Sequence, residues 1–225
     1  MIPLHDNVKS RTRPWVSWGL MAGCVAVFAW QFLTGLSDPA AERAFVMSYG
    51  MIPAAIVRGR DLHTLVTSMF LHGGILHLLG NMWYLWIFGD NVEDRFGRLP
   101  YLLVYLASGL FGSLLHILIA PQSPIPTIGA SGAISGVMGA YLVLFPKARV
   151  LTLVPIVFFL RFLYLPASFL LGFWILMQVL YGCAAAPGTG GVAYFAHIGG
   201  FAVGVLAGLL ARRRRPPEGV WYDIR

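Results

Sequence analysis

Four histidines, His72, His77, His116 and His197, stand inside apolar stretches of a 225-residue chain that is 58% hydrophobic and 11% charged. Ionisable side chains within such stretches are costly and mark function by default. His77 and Asn81 are four residues apart and share one helix face. Ser131 lies in "GASGAISG", residues 129 to 136, among side chains too small to crowd a nucleophile. A serine hydroxyl within reach of an imidazole is the pairing that base-activated nucleophilic catalysis requires. The same small residues also let membrane helices pack closely, so the octapeptide alone supports either reading.

Other hydrolytic chemistries fit less well. An aspartyl mechanism needs two carboxylates in the spans, and no Asp or Glu falls in the middle of one. A zinc site of the H-E-x-x-H type is missing, because His77 is followed by "LLGN". His72 and His77, five apart, are a poor metal-binding pair on a helix, so no metal is expected. The serine route remains, with Ser131 as nucleophile and His197 as general base and then general acid. The developing oxyanion needs donors. The Ser131 backbone N–H, the Asn81 amide and His77 are candidates, with Gly129 placed beside them. His116 is assigned a structural role, since nothing else converges on it.

Elements must bring these residues together. A bilayer core takes about 20 apolar residues as helix, and six stretches qualify as spans: 15–35, 64–88, 99–119, 129–145, 166–183 and 192–211. The expected fold is therefore an all-α polytopic membrane protein of one domain, 15–211, between an N-terminal segment 1–14 and a C-terminal tail 212–225. With the N-terminus inside, thirteen Lys and Arg fall on inner segments, and only Arg43, Arg58 and Arg60 on outer ones. That bias places both termini in the cytoplasm, and the plasma membrane is the expected location. The net charge of +7 then serves orientation and lipid headgroups. Its basic residues are split among separate inner segments, which argues against nucleic acid as a partner. Two cysteines, Cys24 and Cys183, make no disulfide framework, and no secretory signal is visible.

The connections differ in character. Residues 36–63 form a long, rather apolar first outer loop expected to lie in the membrane interface. "APQSPIPTI", 120–128, has three prolines and cannot be regular helix. "GDNVEDRFGRLP" reads as a solvated inner turn, and Val150–Leu160, broken by Pro155, as an interfacial or re-entrant connection. The fourth span, 17 residues, is only about 25 Å long against a slab of roughly 30 Å, so its N-terminus is expected to lie beneath a cavity. Gly132, Gly136 and Ala140 match Gly200, Gly204 and Gly208 at the four-residue spacing of close helix packing. If those faces meet, Ser131 and His197 sit together at the top of the contact.

"HGGILHLLGN", "GASGA" and "AHIGGFAVG" together resemble the rhomboid intramembrane serine proteases, over roughly Leu62 to Ala211. The resemblance implies a six-helix rhomboid-like bundle with a membrane-embedded first outer loop and a fifth span acting as lateral gate. It implies cleavage of single-pass or other transmembrane protein substrates within membrane lipid, with no cofactor. By that likeness Ser131 and His197 form the dyad, Asn81 and His77 serve the oxyanion, and His72 lines the cavity. Some members carry a Tyr four residues after the nucleophile that stacks on the catalytic His, whereas here that position is Ser135. The alternative is a catalytically inactive binding or chaperone module of the same fold. A transporter is the weaker rival, because it would show internal repeats and interrupted half-helices.

Overall fold

The computed structural model describes residues 1–156, 159–185 and 191–214. In chain order these form β1 (Ile2–Asp6), α1 (Trp15–Ser37), α2 (Pro39–Tyr49), α3 (Pro53–Val57), α4 (Thr64–Thr67), a 3-10 turn (Ser68–Phe70), α5 (Ile75–Phe96), α6 (Arg98–Ile119), α7 (Ser131–Leu144), β2 (Arg149–Ile156), β3 (Phe159–Pro166), α8 (Ala167–Ala184) and α9 (Tyr194–Arg214). Four helical stretches, in α1, α6, α8 and α9, are long and apolar enough to cross a membrane. The segment Thr64–Phe70 and α5 would make a fifth span if taken together, but they are bent by 93°. At 14 residues, α7 is shorter than each of these candidate spans.

The centre of the molecule is α7. Every residue from Gly132 to Tyr141 is buried, so this helix is enclosed by α5, α6, α8 and α9. Its contact with α9 runs backbone against backbone. A methyl group at Gly200 would strike the Gly132 carbonyl, and one at Gly204 the Gly136 carbonyl. The matched small-residue stripes therefore meet as expected. Helix α6 joins them, since a methyl at Gly112 would strike the Ala196 carbonyl.

Several boundaries differ from the sequence reading. The span expected at 64–88 is two pieces, with an extended break after Phe70 and α5 beginning only at Ile75. The inner turn is helix: α5 continues to Phe96, stops at Gly97 with φ +81°, and α6 starts at the next residue. Glycine alone adopts that backbone without strain. The carboxylates expected in a solvated turn instead grip the N-terminal segment. Glu93, 2% exposed, accepts bonds from the Val16 N–H (3.0 Å), the Ser17 N–H (2.8 Å) and the Ser17 hydroxyl (2.9 Å). It thereby caps α1, whose own N-cap residue, Pro14, makes no side-chain cap. Asp94 accepts from the Thr12 N–H (2.9 Å) and hydroxyl (2.6 Å), and Asp90 from the Ser10 hydroxyl (2.7 Å).

The chain is also not all-α. Residues read as a re-entrant connection form an antiparallel sheet of order β1-β2-β3. Pro155 does not prevent this. Pairing of β2 with β1 ends at Leu153, so Pro155 lies where β2 is a free edge on that side. The N-terminal segment is thus a structural strand. Asp6, at its end, accepts from Asn91 Nδ2 (2.9 Å) and from the Tyr141 hydroxyl. The first outer loop contains α2 and α3. Asp38 caps α2 by accepting from the Ala40 N–H at 2.8 Å, with Pro39 at the first helical position. Residues 215–225, most of the expected C-terminal tail, lie outside the described residues.

Candidate active site

The head of α7 is built by a turn that only glycine allows. Gly129 has φ +125°, and a Cβ there would lie 2.7 Å from His77 Nε2. Its N–H donates to the Ser68 carbonyl at 2.9 Å, tying the incoming chain to the turn before α5. That amide is therefore engaged, and Gly129 lies beside His77 and Asn81 as the residue whose missing side chain leaves them room. Ser131 follows as the first residue of α7. Its backbone N–H belongs to the first turn, where no intrahelical acceptor exists.

Ser131 and His197 are brought together across the α7–α9 contact. Ser131 Oγ lies 2.7 Å from His197 Nε2. The other ring nitrogen, Nδ1, lies 2.8 Å from Gln178 Oε1 on α8. His197 is 8% exposed and Gln178 likewise 8%. Trp174, one turn before Gln178, sets its indole 5.6 Å from the imidazole centroid at 35°. Ser135 leaves the imidazole alone and donates to the Ser131 carbonyl of its own helix at 2.6 Å.

On the α5 side, His77 Nδ1 accepts from the Gly73 N–H at 3.2 Å, which puts the ring proton on Nε2, the atom facing Gly129. Asn81 is buried, and its Nδ2 has no partner among the described residues. Its amide lies beside a cavity of about 240 Å³ lined by His77, Asn81, Tyr84, Ser131, Trp174 and His197. A larger cavity of about 430 Å³ meets Ser131, His77 and His197 from the other side. Ser123, Pro126 and Thr127 of the proline-rich segment line it, so that segment does turn inward.

Two histidines change places relative to expectation. His72 does not line either cavity. It is fully buried on the extended break, edge-on to His77 at 5.2 Å, with its backbone bracketed by the Gln31 amide. His116, assigned a structural role, is instead in the wall of the larger cavity with Ser113. The residues missed altogether are Gln178 and Trp174. A search for ionisable groups passes over Gln178 because it carries no charge, although it is the one strongly polar side chain in the apolar stretch of α8. Nothing in the local sequence separates Trp174 from its aromatic neighbours.

A family model for the Rhomboid domain matches residues 59–214. The chain is 34% identical over 170 residues to "RHOMBOID-like protein 6, mitochondrial" of Arabidopsis thaliana, covering 76% of this chain and 50% of that protein. It is 31% identical over 177 residues to "Rhomboid protein 1, mitochondrial" of Saccharomyces cerevisiae, covering 71% and 47%. It is 35% identical over 111 residues to "Rhomboid protease GluP" of Bacillus subtilis, covering 49% and 21%. The chain thus spans about half the length, or less, of these curated relatives. The matched residues 59–214 include Ser131, His197 and the glycine contact between α7 and α9, and this chain belongs to the rhomboid family.

Proposed function

We propose that the chain is an intramembrane serine endopeptidase that hydrolyses peptide bonds in or near transmembrane segments of other membrane proteins. The observation that carries this reading is the 2.7 Å approach of Ser131 Oγ to His197 Nε2 at the mouth of two cavities. In the proposed reaction Ser131 Oγ attacks the scissile carbonyl while its proton passes to Nε2. The tetrahedral oxyanion is met by the Ser131 N–H, Asn81 Nδ2 and the protonated His77 Nε2. His197 then returns its proton to the leaving amine, and water releases the acyl-enzyme by the same route in reverse. These steps use no cofactor.

The proposed setting is a six-helix bundle of α1, α5, α6, α7, α8 and α9, with α2 and α3 in the membrane interface. The smaller cavity is lined by α5 and α8, and the substrate segment is proposed to enter between those helices. The distribution of Lys and Arg supports placing the sheet end on the cytoplasmic side of the membrane. Exposed Cys183, near the opposite end of α8, should then react with an impermeant maleimide from outside the cell. Reaction only after permeabilisation would reverse that orientation.

The function itself is tested by fluorophosphonate labelling of the detergent-solubilised protein beside Ser131→Ala and His197→Ala. Label on wild type that is lost in both variants supports the protease. A folded wild type that takes no label and cuts no transmembrane substrate returns the fold to a binding or chaperone role.

A further inference from the structure

We infer that Gln178 is a positioning residue for the catalytic base, fixing the tautomer and orientation of His197 from α8. This inference rests on the proposed serine-protease reading. It is carried by a chain of hydrogen bonds whose direction can be worked out from chemistry alone. Gln178 Nε2 lies 3.3 Å from the Trp174 carbonyl, which can only accept, so the NH2 group points there and Oε1 points the other way. Oε1 also only accepts, and it lies 2.8 Å from His197 Nδ1. Nδ1 must therefore carry the ring proton, which leaves Nε2 with its lone pair facing Ser131 Oγ at 2.7 Å. That is the tautomer a general base needs before it takes the serine proton. After transfer, the imidazolium keeps its Nδ1–H on Gln178, and the positive charge is met by an amide dipole in place of a carboxylate.

The same helix holds the ring plane. Trp174 and Gln178 are four residues apart and face His197 together. Phe201, one turn beyond His197 on α9, lies against the other end of Trp174 at 6.2 Å and steadies it. With Ser135 turned into its own helix, the support that an aromatic on α7 could have supplied comes from α8. Gln178 is buried although α8 buries only a handful of residues, Ala167, Leu170, Leu171 and Gly182 besides. Burying an amide is costly unless both its ends are bonded, and both are. The other titratable groups bearing on His197 are His77 from α5 and His116 from α6. Neither bonds Nδ1, so the tautomer is left to Gln178.

The test uses the full chain in detergent, with wild type, Gln178→Leu and Gln178→Glu compared by fluorophosphonate labelling rate and by cleavage of a transmembrane substrate across pH. Gln178→Leu keeps the volume and removes the acceptor. It should lower kcat and the labelling rate roughly tenfold or more with KM little changed, the scale of losing an oriented buried hydrogen bond. Gln178→Glu should recover most of that rate. A carboxylate on Nδ1 favours the imidazolium, so the acid limb of the rate profile should move to higher pH by roughly one unit or more. A merely structural role would produce no such shift. Wild-type kinetics and an unmoved profile in both variants would overturn the inference while leaving the protease reading intact. A wild type that never labels would remove both. Should Gln178→Leu fail to fold, nitrogen-15 NMR of histidine-labelled wild type decides independently: a proton on His197 Nδ1 is expected, and one on Nε2 overturns the proposal.

Discussion

At one end of α5, His77 and Asn81 face open cavities, and the Asn81 Nδ2 has no partner among the described residues. At the other end of the same helix, Glu93, Asp90 and Asp94 accept bonds from Val16, Ser17, Ser10 and Thr12, and Asn91 donates to both Asp6 and Asp90. Both clusters place polar groups among apolar neighbours, where an unsatisfied group is costly. The sheet end recovers that cost within the protein, leaving Asn91 Oδ1 as its exception. The Ser131 end leaves the Asn81 amide without a partner among the described residues. Saturated polarity fastens the N-terminal segment and caps α1, whereas unsaturated polarity beside a cavity is what a reaction can use.

Breaking the reactive end should have the largest effect. Ser131→Ala or His197→Ala should lower turnover by roughly 10⁶ with the melting temperature unchanged, as expected for members of one catalytic unit. Residual wild-type-like cleavage in either would end the dyad assignment. Asn81→Ala should cost roughly 10²-fold in kcat or more, the scale of one oxyanion donor, and should not destabilise the fold. Equal rates would remove Asn81 from the mechanism and make its unpartnered amide a packing feature.

Changes at the saturated end should act on stability instead. Glu93→Ala strips the cap from α1 and leaves the amides of Val16 and Ser17 without their acceptor. A loss of about 2 kcal/mol or more is expected in chemical unfolding, with the labelling rate per folded molecule preserved. An unchanged stability would show that this network is dispensable. The smallest effect concerns Asp6, whose carboxyl is raised from 3.8 to about 7, first by burial, then by Asp90, with the Tyr141 bond and His5 opposing. Because the folded state holds this proton more tightly than the unfolded one, its stabilising contribution is whole below pH 3.8 and is lost as pH rises through about 7. Proteolytic release of β1 should therefore quicken between pH 5 and 8, and Asp6→Asn should flatten that dependence. A flat wild-type profile would contradict it.

Much of the site is legible in the sequence. His197, His77 and Asn81 are rare polar types in apolar stretches, Ser131 stands among glycines, and the glycine stripes mark the α7–α9 face that brings Ser131 to His197. Periodicity carries such information because each helix face repeats within a few residues. The sheet is not legible in the same way. "RVLTLVPI" and "FLRFLYLP" are apolar runs whose length suits either an interfacial segment or a strand. Their pairing with each other, and with β1 from the distant N-terminus, decides the matter.

By itself, then, the sequence determined which side chains could do chemistry, a serine, a histidine and two polar neighbours, carried on helices whose small residues demand close contact. Tertiary structure alone decided what those groups lean on. Gln178 reaches His197 from α8, Glu93 caps α1 from α5, and His72 drops behind His77. Local spacing carries no record of such pairings, because hydrogen bonds between helices depend on their relative rotation and depth. Those are set only when the whole bundle packs around α7.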